Sequence, residues 1–499
     1  MQKRINRLLE GQADKKERKK TLQELRLKLL RSQLALSEAA ETPVVIMVTG
    51  QVGSGRGETV NLLNKWLENR GMETHAFGPP SDEERARPPM WRYWLSLPPA
   101  GRIGIYVNGW YGEAVIDRVQ GRIGEHVLAT RIEETREFEK TLAAEGALIL
   151  KFWYRISHDR QAERLHELES DPVNRWRVNE LSWLRHEQFD AIDETARRVV
   201  EATDSAWAPW HVLEGGHPER QTLQTAAIIL DRMQDRLKGR REEVESARTP
   251  PKRRPVPQPQ TLQGLDLTRS MDKAEYKEEL THWQDRLSQL VRDPVFRRDY
   301  AVVAVFEGHD AAGKGGSIHR VTAALDARHY RVISVAAPTD EERAQPWIWR
   351  FWRQLPPHGR MTIFDRSWYG RVLVERVEGF AEKTDWQRAY AEINHFEQTL
   401  LKSNIILAKF WLAIDADEQL ARFQARSETP WKEHKLTDED WRNRERWDDY
   451  QAAINDMLRY TDTTAAPWNV VEANDKRYAR VKVIKRLCAA IEGAMESGG

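Results

Sequence analysis

The sequence has little of what would indicate a secreted, membrane or nucleic-acid-binding protein. Cys488 is the single cysteine among 499 residues, so an intrachain disulfide is excluded, and no Cys/His cluster has the spacing of a structural zinc site. The 78 Lys and Arg residues balance 77 Asp and Glu residues, and the net charge of +1 gives no overall attraction to nucleic acids or membranes. No stretch has the apolar length that spans a bilayer, and no apolar segment follows the basic N-terminal residues. We therefore expect a cytoplasmic protein with no membrane or nucleic-acid partner.

The length suits two domains, and the chain contains one domain pattern twice. A shift of 258 positions, the separation of Arg56 from Lys314, aligns "PPSDEERARPPMWRYWLSLPPAGR" (79–102) with "APTDEERAQPWIWRFWRQLPPHGR" (337–360) without a gap. Because this period is far longer than that of solenoid repeats, we infer that a whole domain was duplicated. A Pro-rich, charged stretch between the copies predicts an extended linker. The predicted limits are 1–238 for the first domain, 239–267 for the linker and 268–499 for the second domain.

Both halves predict the same order of helices and strands. Each opens with an amphipathic helical pattern, formed by Leu22, Leu25 and Leu29 in the first half and by Leu280, Trp283 and Leu287 in the second. A β-branched run, a Gly-rich turn and a helical stretch come next, and more apolar runs alternate with helical segments. The runs of the second half are 302–307, 331–336, 361–365, 405–414 and 469–473. This alternation predicts a parallel sheet covered by helices on both faces, an α/β sandwich in each half.

The Gly-rich turn of the second half, "GHDAAGKGG" at 308–316, is typical of a phosphate-binding loop, and we call it the phosphate loop. Gly308, Gly313 and Lys314 have the spacing of a Walker A motif after a buried strand and before a helix. The glycines let backbone N–H groups face phosphate oxygens, and the lysine meets a phosphate as a point charge. Gly315 replaces the usual Ser or Thr that contacts magnesium, so other groups must hold the metal.

Two carboxylates and several cations complete this candidate site. Asp310 lies within the phosphate loop and Asp365 ends the strand "MTIFD"; two such oxygen ligands suit Mg²⁺ bound to phosphates. Arg366 and Arg371 follow at once. The lid segment, our name for residues 422–447, carries a further cluster formed by Arg422, Arg426, Lys432, Lys435, Arg442, Arg444 and Arg446. Such a segment could close over transferring phosphates.

Simpler interpretations remain open for each feature. The Gly-rich turn could be only a tight connection, and Asp365 with Arg366 only a structural ion pair. Acidic residues interleave the lid segment, as they do on an ordinary solvated helical face.

The first half serves as an internal control, because it shares the pattern without the chemistry. Its counterparts of Asp310, Lys314, Asp365, Arg366 and Arg371 are Val52, Arg56, Val107, Asn108 and Glu113, and most lid cations are replaced as well. Because the metal carboxylates and the lid cations are lost together, we infer that they serve one function. This favours a catalytic lid over a metal site in the second half. Four tryptophans persist in both halves and predict core packing: Trp91 and Trp349, Trp94 and Trp352, Trp110 and Trp368, Trp210 and Trp468. The first half would then be a scaffold, a dimerisation surface or a holding site for a long substrate.

The motifs "DAAGKGG", "DRSWYGR", "PWKEHKL" and "APWNVVEANDKRYAR" make residues 270–495 resemble the polyphosphate kinase 2 family. Residues 15–235 look like a degraded second copy, and the fused arrangement is similar to that of the family's polyphosphate:AMP phosphotransferases. The resemblance implies two tandem P-loop kinase-like three-layer α/β/α sandwiches with a helical lid. It also implies transfer of a terminal phosphoryl group from inorganic polyphosphate to AMP, giving ADP, with Mg²⁺ required.

By matching motifs, the resemblance also assigns site residues. Asp310, Lys314, Asp365 and Arg366 would be catalytic, the two aspartates would hold the metal, and Arg371 and Glu375 would lie near the nucleotide. Residues expected to bind phosphate or polyphosphate are Gly308, Ala312, Gly313, Gly315, Gly316, Arg422, Arg426, Lys432, Lys435 and Arg444.

Three alternative functions stay open, as does assembly into a homo-oligomer. ADP or GDP could be the acceptor. An ATP-dependent nucleoside monophosphate kinase is a second option, although Gly315 disfavours it because it replaces the usual Ser or Thr. The third is a polyanion-binding protein without turnover, which the intact set of Asp310, Lys314 and Asp365 disfavours.

Overall fold

A computed structural model of the chain describes residues 2–10, 12–430 and 438–497. The chain forms two compact units. One comprises Met1–Pro80, Arg92–Arg248 and Pro338–Trp349, and the other comprises Ser81–Trp91, Thr249–Ala337 and Arg350–Gly499. Within the described ranges, no helix combines the length and the apolar character needed to cross a membrane.

The first half alternates strands with helices, as its sequence pattern predicts. Its strands are β1 (Val44–Gly50), β2 (Met72–Ala76), β3 (Ile103–Val107), β4 (Leu148–Arg155) and β5 (Trp210–Glu214). Its helices are α1 (Gln2–Leu9), α2 (Lys15–Ala39), α3 (Arg56–Trp66), α4 (Asp82–Arg85), α5 (Trp91–Leu95), α6 (Gly109–Val119), α7 (Glu125–Ala144), α8 (His158–Ser170), α9 (Glu180–Glu187), α10 (Phe189–Thr203), α11 (Pro218–Leu237) and α12 (Glu242–Arg248). Short 3₁₀ helices cover Asn69–Gly71 and Arg175–Arg177.

The second half repeats this order. Its strands are β6 (Ala301–Gly308), β7 (Tyr330–Ser334), β8 (Met361–Asp365), β9 (Ile405–Ala413) and β10 (Trp468–Glu472). Its helices are α13 (Lys273–Leu290), α14 (Pro294–Asp299), α15 (Lys314–Thr322), α16 (Asp340–Arg343), α17 (Trp349–Trp352), α18 (Val374–Val377), α19 (Lys383–Lys402), α20 (Ala416–Ser427), α21 (Asp438–Glu445), α22 (Trp447–Thr461) and α23 (Lys476–Ser497). Here the 3₁₀ helices are Ala327–His329 and Trp368–Val372.

Each unit contains one five-stranded sheet, and the two sheets have the same order. The order is β2-β3-β1-β4-β5 in the first and β7-β8-β6-β9-β10 in the second, with every neighbouring pair parallel. The predicted tandem α/β fold is therefore confirmed. In the second sheet Phe306 of β6 pairs with Asp365 of β8. Because parallel strands end at one edge, the phosphate loop after β6 and the carboxylate of Asp365 lie at the same edge of the sheet.

Three of the six residues in the two amphipathic patterns are fully buried, and the other three, Leu22, Leu280 and Trp283, are partly buried against the core. All nine residues of β9 are buried, as are the first seven of β6, because helices cover the sheet. Leu25 and Leu29 of α2 are fully buried, and Leu287 of α13 takes the matching place. The retained tryptophans are buried as predicted, except that Trp210 is only half-buried.

The predicted linker is not uniform. Residues Glu242–Arg248 of the predicted linker form α12. At the end of α12, Arg248 Nε donates to the Ala144 carbonyl at 3.1 Å within the first unit. The following residues up to α13 form no helix, and the Arg253 guanidinium lies 4.9 Å from the centre of the Tyr460 ring within the second unit. Within the predicted linker, the residues up to Arg248 thus belong to the first unit and those from Thr249 onward belong to the second. The domain limits 1–238 and 268–499 remain a prediction.

A buried polar cluster occurs in both units. Lys409 Nζ donates to Glu397 Oε2 at 2.8 Å, to the Tyr369 hydroxyl at 3.1 Å and to the Thr461 carbonyl at 2.7 Å. Glu397 Oε1 also accepts from Trp368 Nε1 at 3.1 Å and from the Tyr369 hydroxyl at 2.5 Å. The first unit repeats these contacts with Lys151, Glu139, Tyr111, Thr203 and Trp110. Since both units keep the cluster, we assign it to the fold; in the second unit it anchors the residues that follow Asp365 and Arg366.

Candidate active site

The phosphate loop owes its shape to two glycines. Gly308 has a φ of +150°, and a Cβ atom there would lie 2.6 Å from the Leu412 carbonyl oxygen, so only glycine fits against β9. Gly313 has a φ of +105° and precedes α15, which begins at Lys314. Because α15 starts here, its first N–H groups and the positive end of its dipole are available to an anion.

Lys314 lies across this loop. Its Nζ donates to the Gly308 carbonyl at 2.8 Å and to the His309 carbonyl at 3.3 Å. Burial lowers its pKa, and Arg366 lowers it further, whereas the nearby carboxylates of Asp310 and Asp365 act in the opposite direction. The structure therefore brings together the four residues predicted to be catalytic.

Arg366 forms an ion pair with an aspartate of the phosphate loop. Its Nη2 lies 3.1 Å from Asp310 Oδ1. The pKa of Arg366 is raised although burial acts to lower it, because Asp310 and Glu307 carry negative charge beside it. Asp365 also contributes negative charge beside Arg366, so the interpretation of Asp365 and Arg366 as a structural ion pair stays open. Glu307, buried and bonded to the Ser367 hydroxyl at 2.8 Å, is a further acidic group that the sequence analysis missed.

The donor set fits a divalent cation that is bound together with phosphates. Asp310 and Asp365 come from the ends of two adjacent strands and offer hard carboxylate oxygens. Across the described part of the chain, no three His, Cys, Asp or Glu side chains assemble into a metal-binding group. A cation here would need substrate oxygens to complete its coordination, which is how metal ions act in phosphoryl transfer.

The predicted polyphosphate-binding residues of the phosphate loop differ in their surroundings. Ala312 is buried, and the remaining glycines, Gly315 and Gly316, lie in the first turn of α15. A Cβ atom on Gly316 would lie 3.1 Å from Arg480 Nη2, so this glycine admits a guanidinium to the start of the helix. Arg480 is a second residue that the sequence analysis missed.

The described part of the lid segment contains the last turns of α20, all of α21 and the first residue of α22, with a turn after α20. Arg426 is half-buried in the last turn of α20. Arg444 of α21 donates to the Ala416 carbonyl at 2.7 Å and to Gln419 Oε1 at 3.1 Å, which fastens α21 to α20. Lys432 and Lys435 lie outside the described residues.

Arg422 has a different place from the one predicted. It is buried, and all five of its N–H donors are used within the protein. The acceptors are Glu418 Oε1 and the carbonyls of Ala311, Ala312, Ala473 and Asn474. Helical periodicity turns this side chain inward, and Arg422 binds two carbonyls of the phosphate loop with donors that were predicted to bind polyphosphate.

The two residues predicted near the nucleotide contact each other. Arg371 Nη1 donates to Glu375 Oε2 at 2.9 Å, and Arg371 is largely buried. The pair joins the 3₁₀ helix Trp368–Val372 to α18.

The first unit keeps the backbone of the site. Positive φ angles recur at matching positions: Gly50 (+146°) and Gly308 (+150°), Gly55 (+95°) and Gly313 (+105°), Asn108 (+62°) and Arg366 (+63°). The loop shape therefore does not depend on the catalytic side chains.

At the matching site of the first unit, Arg56 and Glu58 both have partners within the protein. Arg56 donates to Asn108 Oδ1, and burial together with Arg185 lowers its pKa to about 10. Glu58, the counterpart of Gly316, binds both Arg164 and Arg177 at 3.0 Å. A carboxylate thus lies at the start of the helix, where the second unit presents Arg480.

Comparison with known proteins agrees with this geometry. A sequence model described as "Polyphosphate kinase 2" matches residues 12–241 and 270–498. A protein named polyphosphate:AMP phosphotransferase from Pseudomonas aeruginosa is 48% identical over 96% of this chain and 97% of its own length. One of the same name from Pseudomonas syringae pv. tomato is 46% identical over 95% of each chain. A crystal structure described as a polyphosphate kinase 2 from Pseudomonas aeruginosa has a TM-score of 0.85 at 45% identity, covering 97% of both chains.

Proposed function

Since the chain belongs to the polyphosphate kinase 2 family and is a phosphotransferase, we propose that it transfers a terminal phosphoryl group from inorganic polyphosphate to AMP. The products are ADP and a polyphosphate shorter by one unit. The observation that carries the choice of AMP is the match over nearly the full length, with both units, to relatives named for this reaction.

We place the chemistry in the second unit, within the predicted domain 268–499, because Asp310, Lys314, Asp365 and Arg366 come together there. An oxygen of the AMP phosphate attacks the terminal phosphorus, and the bond from that phosphorus to the bridging oxygen breaks. This reaction needs alignment and neutralisation of charge and no protein nucleophile. Lys314, Arg366 and the loop N–H groups supply the neutralisation.

Mg²⁺ held by Asp310 and Asp365 would supply further charge neutralisation at the phosphates when bound. Arg426, Lys432, Lys435 and Arg444 would guide the polymeric donor along the lid segment. We assign Arg371 and Glu375 to the acceptor nucleotide. The first unit keeps the loop backbone without these charges and acts as a scaffold.

The test is a nucleotide chromatogram after incubation of the purified protein with MgCl₂, long-chain polyphosphate and AMP. Parallel reactions contain ADP as acceptor or ATP as donor. ADP formed from AMP, with little ATP formed from ADP, supports the proposal. ATP as the main product would move the acceptor to ADP, and activity with ATP alone as donor would refute the polyphosphate assignment. Absence of product with every donor would refute the proposal and favour the alternative of a polyanion-binding protein without turnover.

A further inference from the structure

The Asp310 carboxylate is held at both oxygens. Arg366 Nη2 lies 3.1 Å from Oδ1, and Asn443 Nδ2 donates to Oδ2 at 2.9 Å. Asn443 belongs to α21 of the lid segment, 133 positions away in sequence. A side chain of the lid segment therefore contacts one of the two carboxylates assigned to the metal.

Tyr450 decides which way the Asn443 amide faces. Its hydroxyl donates to Asn443 Oδ1 at 3.0 Å and lies 3.4 Å from Glu378 Oε1. Burial raises the pKa of Tyr450, and the carboxylates of Glu378 and Asp310 raise it further, so the hydroxyl keeps its proton. Because the Asp310 carboxylate accepts hydrogen bonds, Asn443 turns its NH₂ group toward Asp310 and its carbonyl oxygen toward the Tyr450 hydroxyl.

Glu378 anchors this end of the lid segment. Its side chain is only 8% exposed and lies 3.2 Å from Arg442 Nε and 3.5 Å from Arg446 Nη1. A second contact joins α22 to the phosphate loop: the His309 ring stacks on Trp447, with centroids 4.7 Å apart and planes at 13°. The position of Asn443 is therefore fixed from two directions.

The first unit has lost every member of this arrangement. The counterparts of Asp310, Asn443, Tyr450, Glu378, His309 and Trp447 are Val52, Arg185, Ile192, Gln120, Gln51 and Phe189. By contrast, the buried Lys409 cluster, which serves the fold, is intact in both units. The first unit has therefore lost the residues around Asn443 together with the predicted catalytic residues, while it has kept the residues that stabilise the fold.

We propose that Asn443 is a positioning residue for phosphoryl transfer, which holds the Asp310 carboxylate in the orientation that a phosphate-bound cation requires, while Tyr450 and Glu378 hold Asn443. The inference rests on the proposed function. A carboxylate with one donor removed can rotate, and loss of such supporting contacts to metal-binding side chains typically costs about 10- to 100-fold in metal affinity or activity.

The decisive comparison is between Asn443→Leu and Asn443→Ala. Leucine has the same branched heavy-atom skeleton as asparagine, with larger methyl groups and no donor, so a packing role predicts that leucine is tolerated better than alanine. A positioning role predicts that both lower kcat by a similar factor, about 10- to 100-fold, and both raise the MgCl₂ concentration for half-maximal rate. Tyr450→Phe, which removes only the orienting hydroxyl, should cause a smaller change in the same direction. Arg185→Leu, at the matching position of the first unit, should leave kcat unchanged.

A measurement without turnover separates the inference from the proposed function. MgCl₂ with inorganic tripolyphosphate, and no nucleotide, should raise the melting temperature of the wild type through preferential binding to the folded state. The rise should be smaller in both Asn443 variants, with their ligand-free melting temperatures near that of the wild type. An undiminished rise, or normal kcat in Asn443→Leu, would overturn the positioning role. Failure of the wild type to phosphorylate AMP would instead reject the proposed function.

Discussion

Replacing Lys409 by methionine should destabilise the second unit strongly. Lys409 is fully buried and makes three hydrogen bonds, one of them to the buried carboxylate of Glu397. Methionine fills a similar volume but cannot donate. The variant therefore leaves the Glu397 charge without its cation in a site that water does not reach.

The expected loss follows from the contacts that remain. Breaking a buried ion pair by removing one partner costs about 3–5 kcal/mol. Glu397 keeps its donors Trp368 and Tyr369, which favours the lower end of that range. For a domain of about 150–250 residues, each kcal/mol lowers the melting temperature by about 2–4 °C, so we expect a fall of roughly 6–20 °C.

Calorimetry and the temperature at which activity is lost would measure this effect. Lys151→Met is the matched control, because it breaks the same contacts in the first unit. It should lower stability by a similar amount and leave kcat at 25 °C unchanged. The double variant Lys409→Met with Glu397→Leu should recover part of the loss, because no buried charge then remains.

The reasoning would be refuted if Lys409→Met melted within about 2 °C of the wild type, a fall expected for less than about 1 kcal/mol. In that case the ion pair would add no net stability over an apolar contact. A double variant no better than the single one would show that packing, and not the unpaired charge, causes the loss.

Three further predictions concern the site. Lys314→Ala should lower kcat by roughly 100-fold or more, because it removes a group that stabilises charge in the transition state. Arg56→Ala, the matched variant of the first unit, should change kcat little. Equal losses of kcat in the two variants would contradict the assignment of the chemistry to the second unit. Because the proposed donor is a polyanion, the KM for polyphosphate should rise steadily with NaCl concentration, and a flat dependence would count against the cationic path. Arg422→Lys offers three donors to five acceptors, so urea unfolding should show a loss of about 2 kcal/mol, whereas an unchanged midpoint would argue that the carbonyl contacts contribute nothing.

The fold was predictable because its signals are local and occur twice. Strand composition, the Gly-rich turn and the amphipathic helices each depend on residues close in sequence, and the shift of 258 positions shows each of them in two copies. The meeting of Lys314 with Asp365 was also predictable, because parallel strands end at one edge of their sheet.

The missed residues lie far from the motifs in sequence. Comparison of the halves contained a signal for them: Glu307, Glu378, Asn443, Tyr450 and Arg480 are replaced by Thr49, Gln120, Arg185, Ile192 and Thr222. That comparison shows a change of residue type but no contact, so it cannot say which of these side chains meet.

By itself, the sequence determined the duplicated parallel α/β fold, and it carried the predictions of a phosphate loop and of chemistry in the second half. Only the tertiary structure decided that Arg422 faces the back of the loop, that Arg366 binds Asp310, and that Asn443 does so as well. The physical reason is the distance along the sequence over which each feature is determined. Backbone conformation and burial pattern follow from neighbouring residues, whereas the partner of a long polar side chain depends on how distant helices pack and on which donors and acceptors that packing leaves within reach.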